Sequence, residues 1–516
     1  MNLNRSHLKP AALPREKLLA LAILLTAACA VIWVVRPVWN SQALNDDSFI
    51  TLTYAKNLAA GQGFVYNHPP ATLGSTTPLF VFSTALLTKL APAFTAVEAA
   101  IILSALSWAG AGLVLYLIMR RAGFRPVPAA VAAAAPLLLG QGWQNFIGME
   151  IWPFQFLLTL SVLFAIKGKP LYAGLLTGLL FLTRGEGALL GLILFGYFTF
   201  SDHIPGVNQS QTSLGQPRLN WRDGLTFAAG AGVVVAVWAF YALVTFGTII
   251  PNTLAAKQAQ AQLSSGKNFL EQIMLTLLPN YVKSFGLFGV WFLNPYLILA
   301  GIGIFYAWRK AAVLLIFGVW GIAYLTGYAI LNPSLYYWYV LHLVFVLSVF
   351  AGIGLAGLFT AAMESAAKSR RIVGYATAVI MAAALFSFSM SFLTKIPAFP
   401  GDRRAPTYTA VSSWLKENSS PEESVAFIEI GYLGYYTDNR IVDMAGLVDP
   451  TVTEHIATDG FTWAFWHYEP DYYIYIEEFN WALGDIKPAL DADYSPVHSV
   501  EREDADTPIY IYKRNN

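Results

Sequence analysis

Long stretches almost free of charged residues recur along this chain, and they constrain its fold more than any other feature. They run from Leu18 to about Leu393, and several reach the roughly 20 residues that a helix needs to cross a bilayer. Only 12% of all residues are charged, against about 25% in an average soluble domain. A soluble enzyme, a disordered regulator and a nucleic-acid-binding protein are therefore excluded, and the pattern predicts an α-helical polytopic membrane protein.

Charge divides the chain into two parts. Residues 1–397 carry 24 basic and 10 acidic side chains, whereas residues 398–516 carry 8 basic and 21 acidic ones. We therefore expect a transmembrane domain over residues 1–396 and an acidic soluble domain over residues 397–516. The single cysteine, Cys29, lies in the first apolar run, so the chain has no intramolecular disulfide and no cysteine-based metal site.

The soluble domain is predicted to be a small α/β domain, because predicted strands alternate with helix in its sequence. About 120 residues suffice for one independent core. The predicted helix is Thr407–Glu417, and the predicted strands are Val425–Ile430, Arg440–Met444, Tyr472–Ile476 and Ile509–Tyr512.

Eleven apolar segments are predicted to cross the membrane. They are residues 18–35, 95–119, 127–144, 150–166, 170–183, 186–200, 224–246, 284–307, 311–331, 335–358 and 372–393. The positive-inside rule places the N-terminus in the cytoplasm, with 16 basic residues on the cytoplasmic side and 8 outside. An odd number of spans then places the C-terminal domain outside the cytoplasm.

The first outer loop, residues 37–93, contains a further apolar segment, Pro78–Leu90. It has only 13 residues, and if it crossed the membrane, the basic cluster from Arg120 to Arg125 would face outside. We therefore expect Pro78–Leu90 to form a helix on the outer surface.

Six acidic residues of the first part lie outside the predicted cytoplasmic loops. They are Asp46, Asp47, Glu98, Glu150, Glu186 and Glu271. All six lie at the outer ends of spans or in outer loops, where an ionisable group is costly and is usually retained for function. Glu98 and Glu271 have no matched partner in the sequence, so we interpret these two as solvated groups at the interface.

Asp46 and Asp47 open a predicted interfacial helix, Ile50–Ala60, which includes Tyr54. Two adjacent carboxylates hold each other's pKa values apart, so that one accepts a proton while the other binds a hydroxyl or an ion. Capping of the helix N-terminus is the alternative interpretation, since Asp is favoured there. Both interpretations can hold for the same pair.

Arg184 and Glu186 interrupt an apolar hairpin in the segment Leu182-Thr-Arg-Gly-Glu-Gly187. They form either a structural ion pair or a site in which Arg184 binds a phosphate through paired hydrogen bonds, with glycines that let a ligand approach the backbone. Lys257 offers a second cation on the same side, unless it only contacts anionic lipid headgroups.

The tenth predicted span begins at the outer face with four aromatic residues, Tyr336-Tyr-Trp-Tyr339, and His342 follows them. They form either an ordinary interfacial belt or a surface on which sugars stack. With carboxylates suited to deprotonating a hydroxyl and cations suited to a phosphate leaving group, the pattern indicates glycosyl transfer from a lipid-phosphate donor at the outer face.

Several blocks of the sequence resemble the bacterial GT-C glycosyltransferases that use polyprenyl-phosphate sugars, and in particular the mycobacterial terminal arabinofuranosyltransferases. The blocks are Asp46-Asp-Ser-Phe-Ile-Thr-Leu-Thr-Tyr-Ala-Lys-Asn-Leu-Ala-Ala-Gly-Gln-Gly63, Gly74-Ser-Thr-Thr-Pro-Leu79, Gly148-Met-Glu150, Leu182-Thr-Arg-Gly-Glu-Gly187, Phe246-Gly-Thr-Ile-Ile-Pro-Asn-Thr253 with Lys257, and Asp443-Met-Ala-Gly-Leu-Val-Asp449. No single block is specific to this family, but the order in which the blocks occur along the chain is. One departure is Gly185, where the relatives commonly have proline.

The resemblance implies a GT-C membrane fold and a single inverting displacement with an Asp general base. It makes Asp46 the first choice for the base and gives Asp47 a role in orienting the acceptor. Arg184 and Lys257 would then neutralise the leaving phosphate. The sugar- or acceptor-binding residues would be Glu150, Glu186, Tyr54, Tyr337 and His342.

The implied partners are a polyprenyl-phosphate sugar, a glycan or lipid acceptor and the lipid bilayer of a bacterial plasma membrane, with no nucleic acid. No cofactor is expected; the sequence shows no convincing metal-ligand set beyond Asp46 and Asp47, although a divalent metal stays possible. A lipid or sugar transporter is the main alternative, but the pseudo-symmetric halves that it predicts are not found in the sequence. An oligosaccharide transferase with a diphosphate-lipid donor and a non-catalytic assembly protein are further alternatives.

Overall fold

The structure is a computed structural model in which helices form the first part of the chain and a five-stranded sheet forms the last part. It describes residues 15–67, 71–138, 146–200, 219–263, 268–273, 295–333, 336–394, 401–479, 486–503 and 505–515. The predicted span over residues 284–307 lies partly outside these described residues, as does the span over residues 127–144.

Fifteen helices are described in the first part of the chain. They are α1 (Arg15–Ser41), α2 (Asp46–Ala59), α3 (Pro78–Leu90), α4 (Ala96–Arg121), α5 (Pro126–Leu138), α6 (Ile151–Ile166), α7 (Pro170–Thr183), α8 (Gly187–Phe200), α9 (Trp221–Phe246), α10 (Asn252–Leu263), α11 (Phe269–Gln272), α12 (Pro295–Lys310), α13 (Leu315–Leu331), α14 (Tyr337–Glu364) and α15 (Lys368–Leu393).

Within the described residues, six helices are long and apolar enough to cross a membrane: α1, α4, α9, α14, α15, and α13 together with the 3₁₀ turn before it. Shorter apolar helices, α3 and α5 to α8, accompany them. The prediction of a polytopic helical protein is thereby confirmed, while the orientation of its termini stays a prediction.

Helix ends follow local capping rules. Thr95 caps α4, and its side chain and that of Glu98 form a reciprocal capping box. Asn220 and Asp223 form the same arrangement at the start of α9. Glu98, which we expected to be only solvated, therefore satisfies otherwise unpaired backbone groups at a helix start.

Glycines let neighbouring helices approach closely. A Cβ atom on Gly174 of α7 would lie 2.1 Å from the backbone oxygen of Phe227 in α9. A Cβ atom on Gly303 of α12 would lie 1.9 Å from the backbone oxygen of Phe350 in α14. Small residues are typical of tightly packed membrane helices, and the α7–α9 contact positions the end of α7 beside the functional site.

The C-terminal part contains helices and strands in alternation. Its elements are α16 (Ala405–Asn418), β1 (Ser424–Phe427), α17 (Gly431–Tyr436), β2 (Arg440–Asp443), α18 (Pro450–Asp459), α19 (Trp463–Tyr468), β3 (Tyr472–Tyr475), α20 (Lys487–Asp493), β4 (Tyr494–Val500) and β5 (Ile509–Arg514). The strand order is β2-β1-β3-β5-β4, with β1 parallel to β2 and β3, and β5 antiparallel to β3 and β4.

The sequence predicted the helix α16 and all strands of this sheet except β4. Strand β4 is missed because five of its seven residues are exposed, so it has no apolar alternation, and because Pro496 and a register shift between Pro496 and His498 interrupt it. Proline at an edge strand costs no ladder hydrogen bond when its nitrogen faces solvent.

Polar side chains of the helical part hold the C-terminal domain in place. The Tyr66 hydroxyl donates to the Ile430 oxygen at 2.6 Å, and the Gln260 amide donates to the Ala445 oxygen at 2.7 Å. The Asn252 amide donates to the Gly446 oxygen at 2.7 Å. Because each of these donors pairs with one particular backbone carbonyl, the hydrogen bonds define how the two parts contact each other.

Candidate functional site

A cavity of about 500 Å³ lies where α2, α9, α10, α13 and α14 meet the turn between α7 and α8. Most of its lining is apolar and includes Leu182, Leu189, Val235 and Ile249. Five acidic or basic side chains also line it: Asp47, Glu150, Arg184, Glu186 and Lys257. The cavity thus combines an apolar lining with a set of charged groups.

The acid pair opens α2, but its two carboxylates face different surroundings. Asn45 is the N-cap, accepting a hydrogen bond from the Asp47 backbone nitrogen at 3.1 Å, and both aspartates lie in the first helical turn. The capping role that sequence reasoning considered for the pair therefore belongs to Asn45. Negative charge is favoured at both acidic positions by the helix dipole.

Asp46 is buried and contacts the C-terminal domain rather than the cavity. Its carboxylate accepts hydrogen bonds from the backbone nitrogens of Gly431 and Tyr432, each at 3.0 Å. Burial and the nearby Glu429 carboxylate raise the pKa of Asp46 to about 8, against the opposing effect of the Tyr432 N–H. Asp47, by contrast, keeps 31% of its side chain exposed and lines the cavity.

Lys257 of α10 lies beside Asp47, with Nζ 4.0 Å from Asp47 Oδ2. Its ammonium group is 3.8 Å from the ring centre of Tyr336 and 4.8 Å from that of Trp338. These distances are within the range of cation–π attraction. Burial lowers the pKa of Lys257, and the Asp47 charge opposes that shift.

Arg184, at the end of α7, binds two glutamates at once. Its Nε and Nη2 atoms lie 3.1 and 2.9 Å from Glu186 Oε1, and Nη1 donates to Glu150 Oε1. Tyr328 also donates its hydroxyl to Glu186 Oε1, and the guanidinium lies over the Tyr339 ring at 5.8 Å. The ion pair considered from the sequence is therefore present, extended by Glu150.

Three of the sequence blocks meet at the edge of the cavity. The Asn252 backbone nitrogen donates to the Leu73 oxygen at 2.7 Å, and the Thr253 hydroxyl lies within hydrogen-bond distance of the oxygens of Gly74 and Leu447. A Cβ atom on Gly74 would lie 2.6 Å from the Tyr54 hydroxyl oxygen, so only glycine fits there without a shift. Ser75, Thr76 and other polar residues of these blocks line the cavity.

Besides Asp46, two residues predicted for the site do not line the cavity, and the side chain of a third is not among the described ones. Tyr54 is fully buried, and its hydroxyl donates to the Thr72 oxygen at 3.0 Å and accepts from the Gly74 nitrogen at 3.1 Å. His342 is fully buried, with Nδ1 2.7 Å from the Gln155 amide nitrogen. The side chain of Tyr337 lies outside the described part of the structure.

Sequence reasoning missed Tyr328 and Glu429. Tyr328 binds Glu186, and the spacing of Tyr324 and Tyr328 in an otherwise apolar span was an available signal, since residues four apart share a helix face. No local signal marked Glu429, whose carboxylate accepts from Arg404 and Tyr408 and lies close enough to Asp46 to shift its pKa.

The described residues contain no group of three or more His, Cys, Asp or Glu side chains arranged to hold a metal ion. Asp46 and Asp47 are adjacent, but the Asp46 oxygens are occupied by backbone N–H groups.

Comparison with known proteins gives a family match for the C-terminal part and similar solved structures for nearly the whole chain. Residues 401–512 match a family described as a domain of unknown function, DUF8728. No curated protein matches the chain. The crystal structure of ArnT from Cupriavidus metallidurans bound to undecaprenyl phosphate is similar, with a TM-score of 0.59 and 15% identity over 95% of this chain and 97% of that chain. Its apo structure gives a TM-score of 0.56 and 14% identity over the same shares.

At this level of identity the likeness concerns the fold. It confirms the predicted fold class, a helical polytopic membrane part with a small C-terminal α/β domain, because the fold shared with ArnT extends over nearly the whole of both chains. The closer resemblance to mycobacterial arabinofuranosyltransferases stays a prediction.

Proposed function

We propose that the protein is an integral membrane glycosyltransferase that moves a single sugar from a polyprenyl-phosphate donor to a glycan or lipid acceptor of the bacterial cell envelope. The observation that carries this proposal is the cavity itself, which combines an apolar lining with a carboxylate and an ammonium group 4.0 Å apart. The fold that it shares with a protein that binds undecaprenyl phosphate supports a lipid-phosphate donor.

Asp47 is our candidate for the general base, in place of Asp46. A base must reach the acceptor hydroxyl directly or through one water molecule. Asp47 lines the cavity with 31% of its side chain exposed, whereas both Asp46 oxygens are used by backbone N–H groups. Asp46 then has a positioning role, because it fixes the start of α2 against the C-terminal domain.

The proposed reaction is one inverting displacement. Asp47 takes the proton of the acceptor hydroxyl as that oxygen forms its bond to the anomeric carbon. The bond between the anomeric carbon and the phosphate oxygen breaks, and its electron pair leaves with the polyprenyl phosphate. Lys257 stabilises the negative charge that develops on this leaving group.

The charge of the site favours a monophosphate donor. Among the described residues, two cations line the cavity; Arg184 is bound by Glu150 and Glu186, and Lys257 remains for the donor. A sugar phosphodiester carries one negative charge, which one ammonium group balances, whereas a diphosphate carries more. We propose that the cavity opens at the outer face, with the N-terminus in the cytoplasm, as the distribution of basic residues predicts.

The test is transfer of radiolabelled sugar by the purified full chain in lipid nanodiscs. The donors are synthetic undecaprenyl-phosphate sugars, and the acceptors are glycan and lipid fractions extracted from bacterial envelopes. Asp47→Asn is expected to lose about 10²- to 10⁴-fold in turnover, the usual contribution of a general base, with donor binding and melting temperature retained. Asp46→Asn is the matched variant, and it should lower the melting temperature more than Asp47→Asn does.

Two outcomes would contradict the proposal. Full activity in Asp47→Asn would remove Asp47 as the base. Binding of the donors and their movement across the bilayer, without transfer to any acceptor fraction, would favour a transporter instead.

A further inference from the structure

The charges around the cavity bear on which sugars it accepts. Three carboxylates, those of Asp47, Glu150 and Glu186, face two cations, Arg184 and Lys257. The described lining therefore has one more negative than positive group when all five are ionised. A donor phosphate adds a further negative charge.

Arg184 is not free to meet an anionic ligand. It is only 8% exposed and binds Glu186 through two nitrogens and Glu150 through a third. If Arg184 turned towards an incoming carboxylate, it would leave a glutamate buried without its counter-ion. Breaking a buried pair in this way is strongly unfavourable.

Lys257 is also committed once the donor is bound. Its ammonium group lies against the stacked rings of Tyr336 and Trp338 and 4.0 Å from Asp47, where the reacting phosphate would lie. No other Lys, Arg or His lines the described cavity. In the described part of the cavity lining, a second anionic group on the donor would therefore meet no cation that balances it.

The two glutamates keep the capacity to accept hydrogen bonds. Arg184 and Tyr328 use Oε1 of Glu186, and Arg184 uses Oε1 of Glu150. Among the described residues, neither Oε2 atom has a hydrogen-bond donor. Carboxylate oxygens of this kind accept hydrogen bonds from sugar hydroxyls and repel another carboxylate.

We propose that the protein selects donors whose sugar bears hydroxyl groups and no acidic substituent, and that the Glu150–Arg184–Glu186 cluster is the element that rejects acidic sugars. This inference rests on the proposed function, since it concerns the sugar of the same donor. It defines the sugar class by charge, so that hexoses and pentoses are accepted and uronic acids are excluded.

The test uses matched donors that differ only at one carbon of the sugar. Binding of undecaprenyl-phosphate glucose is compared with that of its glucuronic acid counterpart, and the galactose donor with its galacturonic acid counterpart, on the full chain in nanodiscs. Each neutral donor should bind roughly tenfold or more tightly than its acidic partner, because like charges in close contact are costly.

Variants then assign the effect to the cluster. Glu150→Gln and Glu186→Gln each remove one negative charge. Each should lower the ratio of the affinity for a neutral donor to the affinity for its acidic partner. Glu98→Gln is the matched control, since Glu98 caps α4 and does not line the cavity, and it should leave the ratio unchanged. The comparison of donors on the unmodified protein stands even if a variant fails to fold.

The outcomes separate this inference from the proposed function. Equal binding of neutral and acidic donors overturns the inference while leaving a transferase intact. If folded Glu150→Gln and Glu186→Gln keep the affinity ratio of the unmodified protein, the cluster is not the element that rejects acidic sugars. Failure of all four donors to bind overturns the acceptance of hexose donors stated here, whereas the proposed function is decided by the transfer assay.

Discussion

The Oδ2 atom of Asp46 lies 3.0 Å from the backbone nitrogen of Gly431, although the two residues are 385 positions apart. Through this contact the short helix α17 of the C-terminal domain binds the first turn of α2. The domain therefore fixes the position of the neighbouring Asp47, and the soluble part of the chain becomes a structural component of the site.

Replacing Gly431 by alanine is expected to separate these two helices. The added Cβ atom would lie 1.9 Å from the Asp46 backbone oxygen, so α17 must shift, at a cost of about 1–3 kcal/mol for this kind of overpacking. Hydrogen exchange should accelerate both at residues 46–50 and at residues 430–436. Gly196→Ala, where the new methyl group meets nothing within 4 Å, is the control. If hydrogen exchange at these residues is unchanged in Gly431→Ala, the contact between Asp46 and Gly431 does not hold the C-terminal domain in place.

Sequence reasoning predicted the elements whose signals are local. Apolar runs predicted the helices. A run of aromatic and β-branched residues predicted β3, and all four of its residues are buried in the structure. It also predicted the charged residues that line the cavity, because ionisable groups in apolar surroundings are conspicuous. Strand β4 escaped because its residues are mostly exposed.

The different surroundings of Asp46 and Asp47 could not be predicted from the sequence. Adjacent residues on a helix point about 100° apart, so one faces the C-terminal domain and the other the cavity. Which one does so depends on where residues 431 and 432 lie, and that is a long-range property of the fold. Glu429 was missed for the same reason.

Lys257→Met is expected to weaken use of the donor. The variant keeps an unbranched side chain of nearly the same length but removes the charge beside Asp47 and the proposed phosphate position. Loss of one such electrostatic contact commonly costs about 10²- to 10³-fold in kcat, so kcat/KM for the donor should fall by a similar factor. Steady-state transfer assays measure this. Lys167→Met, at the end of α6 and outside the cavity lining, is the control, and equal losses in both variants would argue against a direct role.

The stability of the protein is expected to depend on pH through Asp443. This carboxylate is 1% exposed, and burial raises its pKa to about 7, although the N–H groups of Val448 and Ala445 oppose the shift. Between about pH 4 and pH 7 the folded state therefore holds a proton that the unfolded state has lost. Stability is highest below this window and falls as pH rises through it, by at most about 1.4 kcal/mol per pH unit.

Asp443→Asn removes this titration. Melting of the full chain in detergent from pH 4.5 to pH 7.5 should show a smaller decline with pH in the variant than in the unmodified protein, whatever its absolute stability. Ser412→Ala, a buried and non-titrating change in the same domain, should keep the original decline. A parallel pH dependence in Asp443→Asn would show that Asp443 does not take up a proton in the folded state.

The turn between α7 and α8 offers a paired test of its two glycines. Gly185 has no positive φ, and a Cβ atom there would meet nothing within 4 Å. Gly185→Ala should therefore keep or raise stability, by about 0.4–1 kcal/mol, because it restricts the unfolded chain. At Gly187 a Cβ atom would lie 2.6 Å from the Phe181 backbone nitrogen, so Gly187→Ala should destabilise by about 1–3 kcal/mol.

The KM for the donor then tests whether the donor sugar approaches the backbone at Gly185. The residue lines the cavity beside Arg184, so a methyl group there occupies room next to the proposed sugar. If the donor approaches this backbone, Gly185→Ala raises the KM for the donor while the melting temperature stays the same or rises. An unchanged KM in the folded variant would place the sugar away from the turn, and a lower melting temperature for Gly185→Ala than for Gly187→Ala would contradict the packing described for the two glycines.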